Sequence, residues 1–379
     1  MRNFHFFGPV LTGLYLAVNF YIAGWLLRFF KPGRGAAFAL GAGFCVLAAS
    51  YPAAHTLEAA AGGALGHALL WFGFFWLGAS FILFYTLLLA SLVFGRLKAR
   101  GVTPPARPYA LASLAVAAVL LGIAVKGGAD RPRVKLVEAD IAGLPEKLDG
   151  FKIAQISDLH LGRLNGAEKL RRLADEINSL RPDLVALTGD FSERRENVPE
   201  EACGILKGLR ARYGTAAALG NHDLFAGKDK AADFLSRCGI RVLRGTVFEP
   251  VTGLMVGGVD DLKRSPLSPG EAASLAKALV VPGKAAVLLS HQPQGWEPIM
   301  NGAPGLVLSG HTHAGQIFPF NLIERLIYKY FYGLYRDRGT VLYVTSGAGT
   351  WGPPLRLFTD SELPLITLRP LKNKGMEEK

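Results

Sequence analysis

Acidic residues are nearly missing from the first third of the chain. Before residue 127 the only one is Glu58, against nine Lys and Arg. Those nine account for +8 of the formal +12 after Glu58 is counted, leaving +4 for everything that follows. No lysine-rich tail and no basic stripe interleaved with aromatics exists, so nucleic acid is not an expected partner. Cysteine is scarce as well. Cys45, Cys203 and Cys238 are the only three, and no C-x-x-C pair occurs. The expectation is three small buried side chains, not a disulfide framework or a thiolate-ligated zinc. Cysteine usage leaves the redox compartment open, and internal repeats and low-complexity tracts are also absent.

What the chain has instead is hydrophobicity. Half of its 379 residues are hydrophobic, and the excess lies in four apolar runs near 10–27, 36–54, 64–94 and 109–125. A helix needs ~20 apolar residues to cross the hydrocarbon core. Three runs meet that length closely, and the third spans it with tilt or with a piece left at the interface. Trp25, Trp71 and Trp76 fall where aromatic belts form. Arg28, Lys31 and Arg34 follow the first run instead of preceding it, which argues against a cleaved signal peptide. Four spans are expected. Arg28, Lys31 and Arg34 mark the first loop as cytoplasmic, and Arg96, Lys98, Arg100 and Arg107 mark the third. The second loop has Glu58 and no Lys or Arg, so both termini, and the domain after the fourth span, are expected outside the cytoplasm. Lys126, Arg131, Arg133 and Lys135 pull the other way. His5, His55 and His67 read as interfacial histidines.

Gly, Asp and Pro over 127–132 read as a linker, and 134–139 as a short strand. From Phe151 onward, short apolar strands alternate with helical patterns, as in a layered α/β domain. Strands are expected at 151–156, 183–187, 216–219, 285–289, 306–308 and 341–344, and a helix at 167–180. Ligands in such sheets gather beyond the carboxyl ends of the strands.

The residues found there are chemically uniform. The first strand runs into Ser157-Asp158-Leu159-His160, and a period of two puts Asp158 and His160 on one side. Others run into Thr188-Gly189-Asp190, Gly220-Asn221-His222-Asp223, Ser290-His291 and Gly310-His311-Thr312-His313. Each motif alone is a weak signal, since an Asp after a strand serves equally as a turn or cap residue. Together they are not weak. All five histidines after residue 127 sit just beyond a strand, beside Asp, Asn or Gly. Asp158, His160, Asp190, Asn221, His291, His311 and His313 make seven N or O donors without a thiolate. That exceeds the three protein ligands of a catalytic zinc and suits two divalent ions sharing a carboxylate. Mixed imidazole and carboxylate donors favour Mn, Fe, Zn or Ni over Ca or Mg.

The order D-x-H, G-D, G-N-H-D, a lone His, then G-H-x-H resembles the calcineurin-like metallophosphoesterases. Leu144-Pro145, Leu148-Asp149-Gly150, GHTHAGQI over 310–317 and SGAGTWGPPLR over 346–356 look like their bacterial membrane-associated branch, with its YkuE- and YaeI-like phosphodiesterases. The likeness covers roughly 133–369, and no ligand position is missing. It implies an α/β metallophosphoesterase domain, an α/β/β/α sandwich of two packed mixed sheets, which would follow the four-helix transmembrane segment read from the apolar runs. The expected boundaries are 1–127 for the membrane segment, 128–150 for linker and first strand, 151–370 for the domain and 371–379 for a tail.

The resemblance further implies that Asp158, His160 and His313 hold one metal and Asn221, His291 and His311 the other, with Asp190 bridging. A hydroxide activated by both ions would attack phosphorus. His222 would contact the phosphate or protonate the leaving oxygen. Asp223 either orients His222 or caps a helix. Arg163, Arg194 and Arg195 are candidate phosphate clamps that read equally as surface arginines. Thr312 and Gly315 shape a loop, and Trp351 either lines the substrate mouth or packs. The expected partners are the lipid bilayer and a phosphate ester, lipid-linked in the narrower form. Three readings stay open: a phosphodiesterase or pyrophosphatase at the membrane, a UDP-diacylglucosamine-type pyrophosphate hydrolase at the cytoplasmic face, and a non-catalytic scaffold or sensor.

Overall fold

The computed structural model describes residues 4–57, 63–193, 198–300, 303–337 and 339–371. Arg194, Arg195, Glu58 and nearly all of the tail lie outside the described residues, as do the side chains of His5 and His55. The chain divides into two units. One is Met1–Ala129 with Gly352–Leu357, the other Asp130–Trp351 with Phe358–Lys379.

The first unit contains helices α1 (Phe4–Phe30), α2 (Arg34–Leu57), α3 (Gly63–Ala99) and α4 (Ala106–Ala129). All four are long and apolar enough to cross a membrane. Their packed interior is built from Val18, Ile22, Trp25, Phe29, Phe44, Leu87 and Ala110. Trp25 stacks on Phe29 with ring centroids 4.4 Å apart. Two of the indole groups inside find partners: Trp76 Nε1 donates to Asn19 Oδ1 at 2.9 Å, and Trp25 Nε1 to Ser91 Oγ at 2.9 Å. Buried polar groups without water need such partners. Large apolar side chains such as Phe20, Phe38, Leu89, Leu92 and Val119 face outward. Where the sequence puts a linker from 127, the helix continues through Gly127, Gly128 and Ala129.

Among the described residues the second unit holds twelve strands: β1 (Arg133–Ile141), β2 (Lys152–Ile156), β3 (Leu184–Thr188), β4 (Thr215–Ala218), β5 (Arg241–Val242), β6 (Thr246–Val251), β7 (Leu254–Val259), β8 (Ala285–Ser290), β9 (Gly305–Ser309), β10 (Gly333–Asp337), β11 (Thr340–Val344) and β12 (Glu362–Pro370). They form two mixed six-stranded sheets, ordered β1-β12-β2-β3-β4-β5 and β10-β11-β9-β8-β7-β6. The inner faces meet through Ile153, Leu184, Ala186 and Ala216 of one sheet and Val256, Val287, Leu289 and Leu308 of the other. Among the described residues six α-helices complete the unit: α5 (Ala167–Leu180), α6 (Ala202–Lys207), α7 (Asn221–Arg237), α8 (Pro269–Leu279), α9 (Glu297–Met300) and α10 (Phe320–Ile327). α5, α6 and α7 cover the outer face of the first sheet, and α8 and α9 that of the second. The result is the expected α/β/β/α sandwich. α5 shows why its residues are helical: Leu170, Leu173, Ala174 and Ile177 recur at helical spacing and are its buried stripe. Strands β3 and β9 are buried on both faces, which is why they read as short unbroken apolar runs.

One expectation is corrected here. Cys203 and Cys238 form a disulfide, with Cα atoms 5.0 Å apart. They stand 35 residues apart in sequence, one on α6 and one at the end of α7. Those helices pack on the same sheet face, and no local spacing announces it. Cys45, expected to be buried, is exposed on α2.

Candidate metal centre

Three of the five motifs that follow strands end in backbone that L-residues rarely adopt. Asp158 (φ 56), His160 (φ 45), Asp190 (φ 51), His311 (φ 74) and His313 (φ 49) are all left-handed. Strain of this kind costs about 1–3 kcal/mol per residue and persists where the surroundings over-determine it, most often at functional sites. Asp158 and His160 do reach the same place, as expected, but not by strand alternation. β2 has already ended at Ile156, and two left-handed residues flank Leu159, whose side chain enters the core under α5. Two glycines let the loops approach. A Cβ on Gly310 would collide with Ser157 and Asp158, and one on Gly220 would collide with Asp190.

The side chains converge in three overlapping groups, Asp158 with His160 and His313, Asp190 with His291 and His311, and His160 with Glu193 and His222, and within each the potential donor atoms lie within 4.8 Å of one another. In the first, His160 Nε2 lies 3.1 Å from His313 Nε2, which is 3.4 Å from Asp158 Oδ1. In the second, His291 Nε2 lies 3.1 Å from His311 Nδ1 and 3.1 Å from Asn221 Oδ1. Asp190 stands between them: its Oδ2 is 3.2 Å from His291 Nε2 and 3.7 Å from His160 Nε2. All seven predicted donors are brought together. The far side of each ring is engaged too. His291 Nδ1 meets the Thr188 carbonyl at 2.9 Å, and His311 Nε2 meets the Tyr328 hydroxyl at 2.9 Å. Contacts of that sort fix ring orientation at metal sites.

His222 sits beside this array, its ring 4.7 Å from that of His160 and 6.1 Å from that of Trp351. Its Nδ1 is 2.7 Å from Glu193 Oε1, and the other oxygen of Glu193 is 2.8 Å from His160 Nδ1. Glu193 was not singled out from sequence. The available signal was a carboxylate three residues beyond Asp190 on the same loop. Tyr328 gave no such signal. Asp223 accepts hydrogen bonds from the backbone N–H of Gly220 and of Ser192, both at 2.9 Å, so it ties the start of α7 to the loop after β3. The Thr312 hydroxyl donates to the Phe331 carbonyl at 2.7 Å. Trp351 is half exposed, and its N–H donates to Gln316 Oε1 at 2.8 Å. Arg163 is exposed.

The electrostatics follow from burying carboxylates among imidazoles. Burial opposes charge on Glu193, but the hydrogen bonds from His160 and His222 outweigh it and hold the carboxyl down at about 2. Burial likewise opposes a proton on His291, yet Asp190 and Asp158 hold it up at about 10. Burial and the neighbouring His291 push His311 down to about 3. Asp190 lies well below the usual carboxylate range because His291 overrides its burial. The site thus draws positive charge inward, and a divalent cation meets that demand without a proton. The donor set, N and O with no sulfur, fits such ions.

Comparison with known proteins gives a consistent answer. The sequence profile of the calcineurin-like phosphoesterases matches residues 151–315. A zebrafish (Danio rerio) transmembrane protein with metallophosphoesterase domain is 35% identical over 68% of this chain and 62% of its own length. An uncharacterized metallophosphoesterase of Helicobacter pylori is 34% identical over 68% of this chain and 70% of its own. YkuE of Bacillus subtilis, an uncharacterized metallophosphoesterase, is 31% identical over 60% and 82%. On these matches, and with apolar helices preceding the sandwich, the chain is a membrane protein that belongs to the calcineurin-like metallophosphoesterases, hydrolases of phosphoric esters.

Proposed function

We propose that the chain is a membrane-anchored phosphodiesterase or pyrophosphatase that cleaves an amphiphilic, lipid-linked phosphate ester with the help of two divalent cations. Asp158, His160 and His313 would hold one cation and Asn221, His291 and His311 the other, with Asp190 shared. The observation that carries this reading is the single oxygen of Asp190 lying within 3.7 Å of both imidazole groups. When bound, such a pair lowers the pKa of water and neutralises charge on phosphoryl oxygens. The remaining chemistry belongs to the chain. Glu193 holds His222 through Nδ1, which leaves Nε2 to hand a proton to the departing oxygen. Asp223 acts as a positioning residue, since the backbone it ties down carries both Asn221 and His222. Trp351, half exposed beside His222, borders the place where substrate enters.

The domain is read as extracytoplasmic. The basic first and third loops support this, and so does the disulfide Cys203–Cys238, because such bonds persist in oxidising compartments. One assay tests both claims. Intact spheroplasts expressing the chain, supplied with Mn and a membrane-impermeant aryl phosphodiester, are expected to release aryl alcohol. An Asp190→Asn variant is expected to lose at least ~10³-fold of that rate. Lysed membranes no faster than this variant would end the enzymatic reading. Activity seen only after lysis would reverse the sidedness.

A further inference from the structure

Helix α10 is inside out. In a soluble domain the apolar stripe of a surface helix faces the core and the polar stripe faces water. Here Asn321, Glu324 and Tyr328, spaced three and four residues apart on one stripe, are the partly buried side chains. The opposite stripe carries Leu322 (52% exposed), Ile323 (49%), Leu326 (89%) and Ile327 (62%). Of the eleven large apolar side chains exposed in the second unit among the described residues, nine fall between Phe320 and Phe358. Single exposed leucines need no explanation, but a contiguous cluster marks an interaction surface.

The inner stripe explains why the helix is held this way. Asn321 lies against Gly315, in the turn that follows His313. The Tyr328 hydroxyl reaches His311 Nε2 at 2.9 Å. The polar stripe is thus committed to the metal centre, and the apolar stripe is turned out beside it. The surroundings extend the same surface. Trp351 and Phe358, 52% and 62% exposed, are tied back to Gln316, the first through its amide N–H and the second through the neighbouring Thr359 hydroxyl.

We propose that α10 is an interfacial helix that lies in the surface of a lipid bilayer and brings bilayer phosphoesters to the metal centre; the second half of that statement rests on the phosphohydrolase reading above. Three observations choose lipid over another occupant. The same chain carries four helices able to span a membrane, so a bilayer is tethered to the domain. Between 315 and 336 the only acidic residue is Glu324, and it is on the inward stripe. Arg325 of α10 and Lys329 just after it are exposed cations close in sequence to the apolar residues, and an interfacial helix uses such cations to meet anionic headgroups. Lys329 also pairs with Asp337 at 3.0 Å.

The test uses the full chain in nanodiscs of phosphatidylethanolamine and phosphatidylglycerol. A Cys45→Ser, Leu326→Cys variant is labelled with the polarity-sensitive fluorophore NBD. A helix lying ~5–10 Å into the headgroup and acyl boundary shifts NBD emission to the blue, with quenching by spin label carried on lipid. Water-like emission overturns the proposal. So does blue emission that lipid-borne quencher leaves intact, which would place a protein or a second copy on the helix. A second arm compares turnover of a phosphodiester lipid in the disc with that of a soluble aryl phosphodiester. Leu326→Glu with Ile327→Glu is expected to lose at least ~10-fold on the lipid, from the apolar burial forgone, and less than ~2-fold on the soluble ester. Equal losses on both substrates overturn the proposal. If the unmodified chain cleaves neither substrate, the catalytic reading fails, and the fluorescence still decides where α10 lies.

Discussion

The two units bury different things. Among the described residues of α1–α4, the buried polar side chains are Asn19, Ser80, Thr86 and Ser113, all uncharged. The second unit buries Asp158, His160, Asp190, His222 and His291 in overlapping groups of potential donors, and buries Asp223 as well. The helices put apolar side chains both inside and out; the sandwich puts them inside, with α10 the marked exception. The difference teaches where ionisable groups are affordable. In the helical unit a buried charge would have no partner, while in the second unit each is held by others, and on the proposed function cations would complete the cluster. Breaking one cluster should therefore leave the other region standing.

After Asp190→Asn, the largest effect is expected at Glu193, which serves two histidines at once. Glu193→Gln should lower kcat/KM by ~10–100-fold, the usual cost of removing a residue that orients a metal ligand. Bound metal measured on the same sample should fall far less than in Asp190→Asn, because Glu193 reaches His160 only from behind. Equal loss of metal in the two variants would show Glu193 to be a ligand. At the other end of the comparison is Gly73 of α3, where a Cβ would lie 2.8 Å from Ala54 Cβ and 2.9 Å from the Ser50 carbonyl of α2. Gly73→Val should destabilise the helical unit by about 2 kcal/mol through overpacking, read as a lower Tm in detergent. Turnover of a soluble ester below that Tm should be unchanged; a matching loss would mean that the two regions do not behave independently.

The smallest effect concerns Glu324, the inward carboxyl of α10. Burial pushes it up to about 7, and its Oε2 is buried without a hydrogen-bond partner. Near pH 3, well below the ordinary value of 4.5, the group is protonated in folded and unfolded chains alike and costs nothing. As pH rises from there through 7, the unfolded chain ionises first and stability falls. Glu324→Gln should therefore raise stability at pH 8, by about 1 kcal/mol once the shift is discounted for the group's partial exposure, and leave it unchanged near pH 3. A gain of equal size at both pH values would trace the effect to packing.

Much of the site could be read in advance because its donors are chemically conspicuous. Histidine is rare in the chain, and each of the five in the second half follows a strand that can be recognised from its own apolar residues. α5 was legible to the residue for the same reason, since its buried stripe is a local pattern. Glu193 escaped because a carboxylate on a loop is ordinary until a histidine from α7 and another from the loop after β2 are seen at its two oxygens. α10 escaped because its composition looks like any short apolar helix. Only its neighbours decide that the polar stripe is the one turned inward.

The amino-acid order by itself determined four apolar spans, a layered α/β domain and a set of seven N and O donors, because hydrophobic period and residue chemistry act over a few residues at a time. Tertiary structure alone decided that Cys203 meets Cys238, that one oxygen of Asp190 faces both imidazole groups, and that α10 shows its apolar side to the outside. These are contacts between segments dozens of residues apart, and they depend on how sheets and helices pack, which no short stretch of sequence encodes.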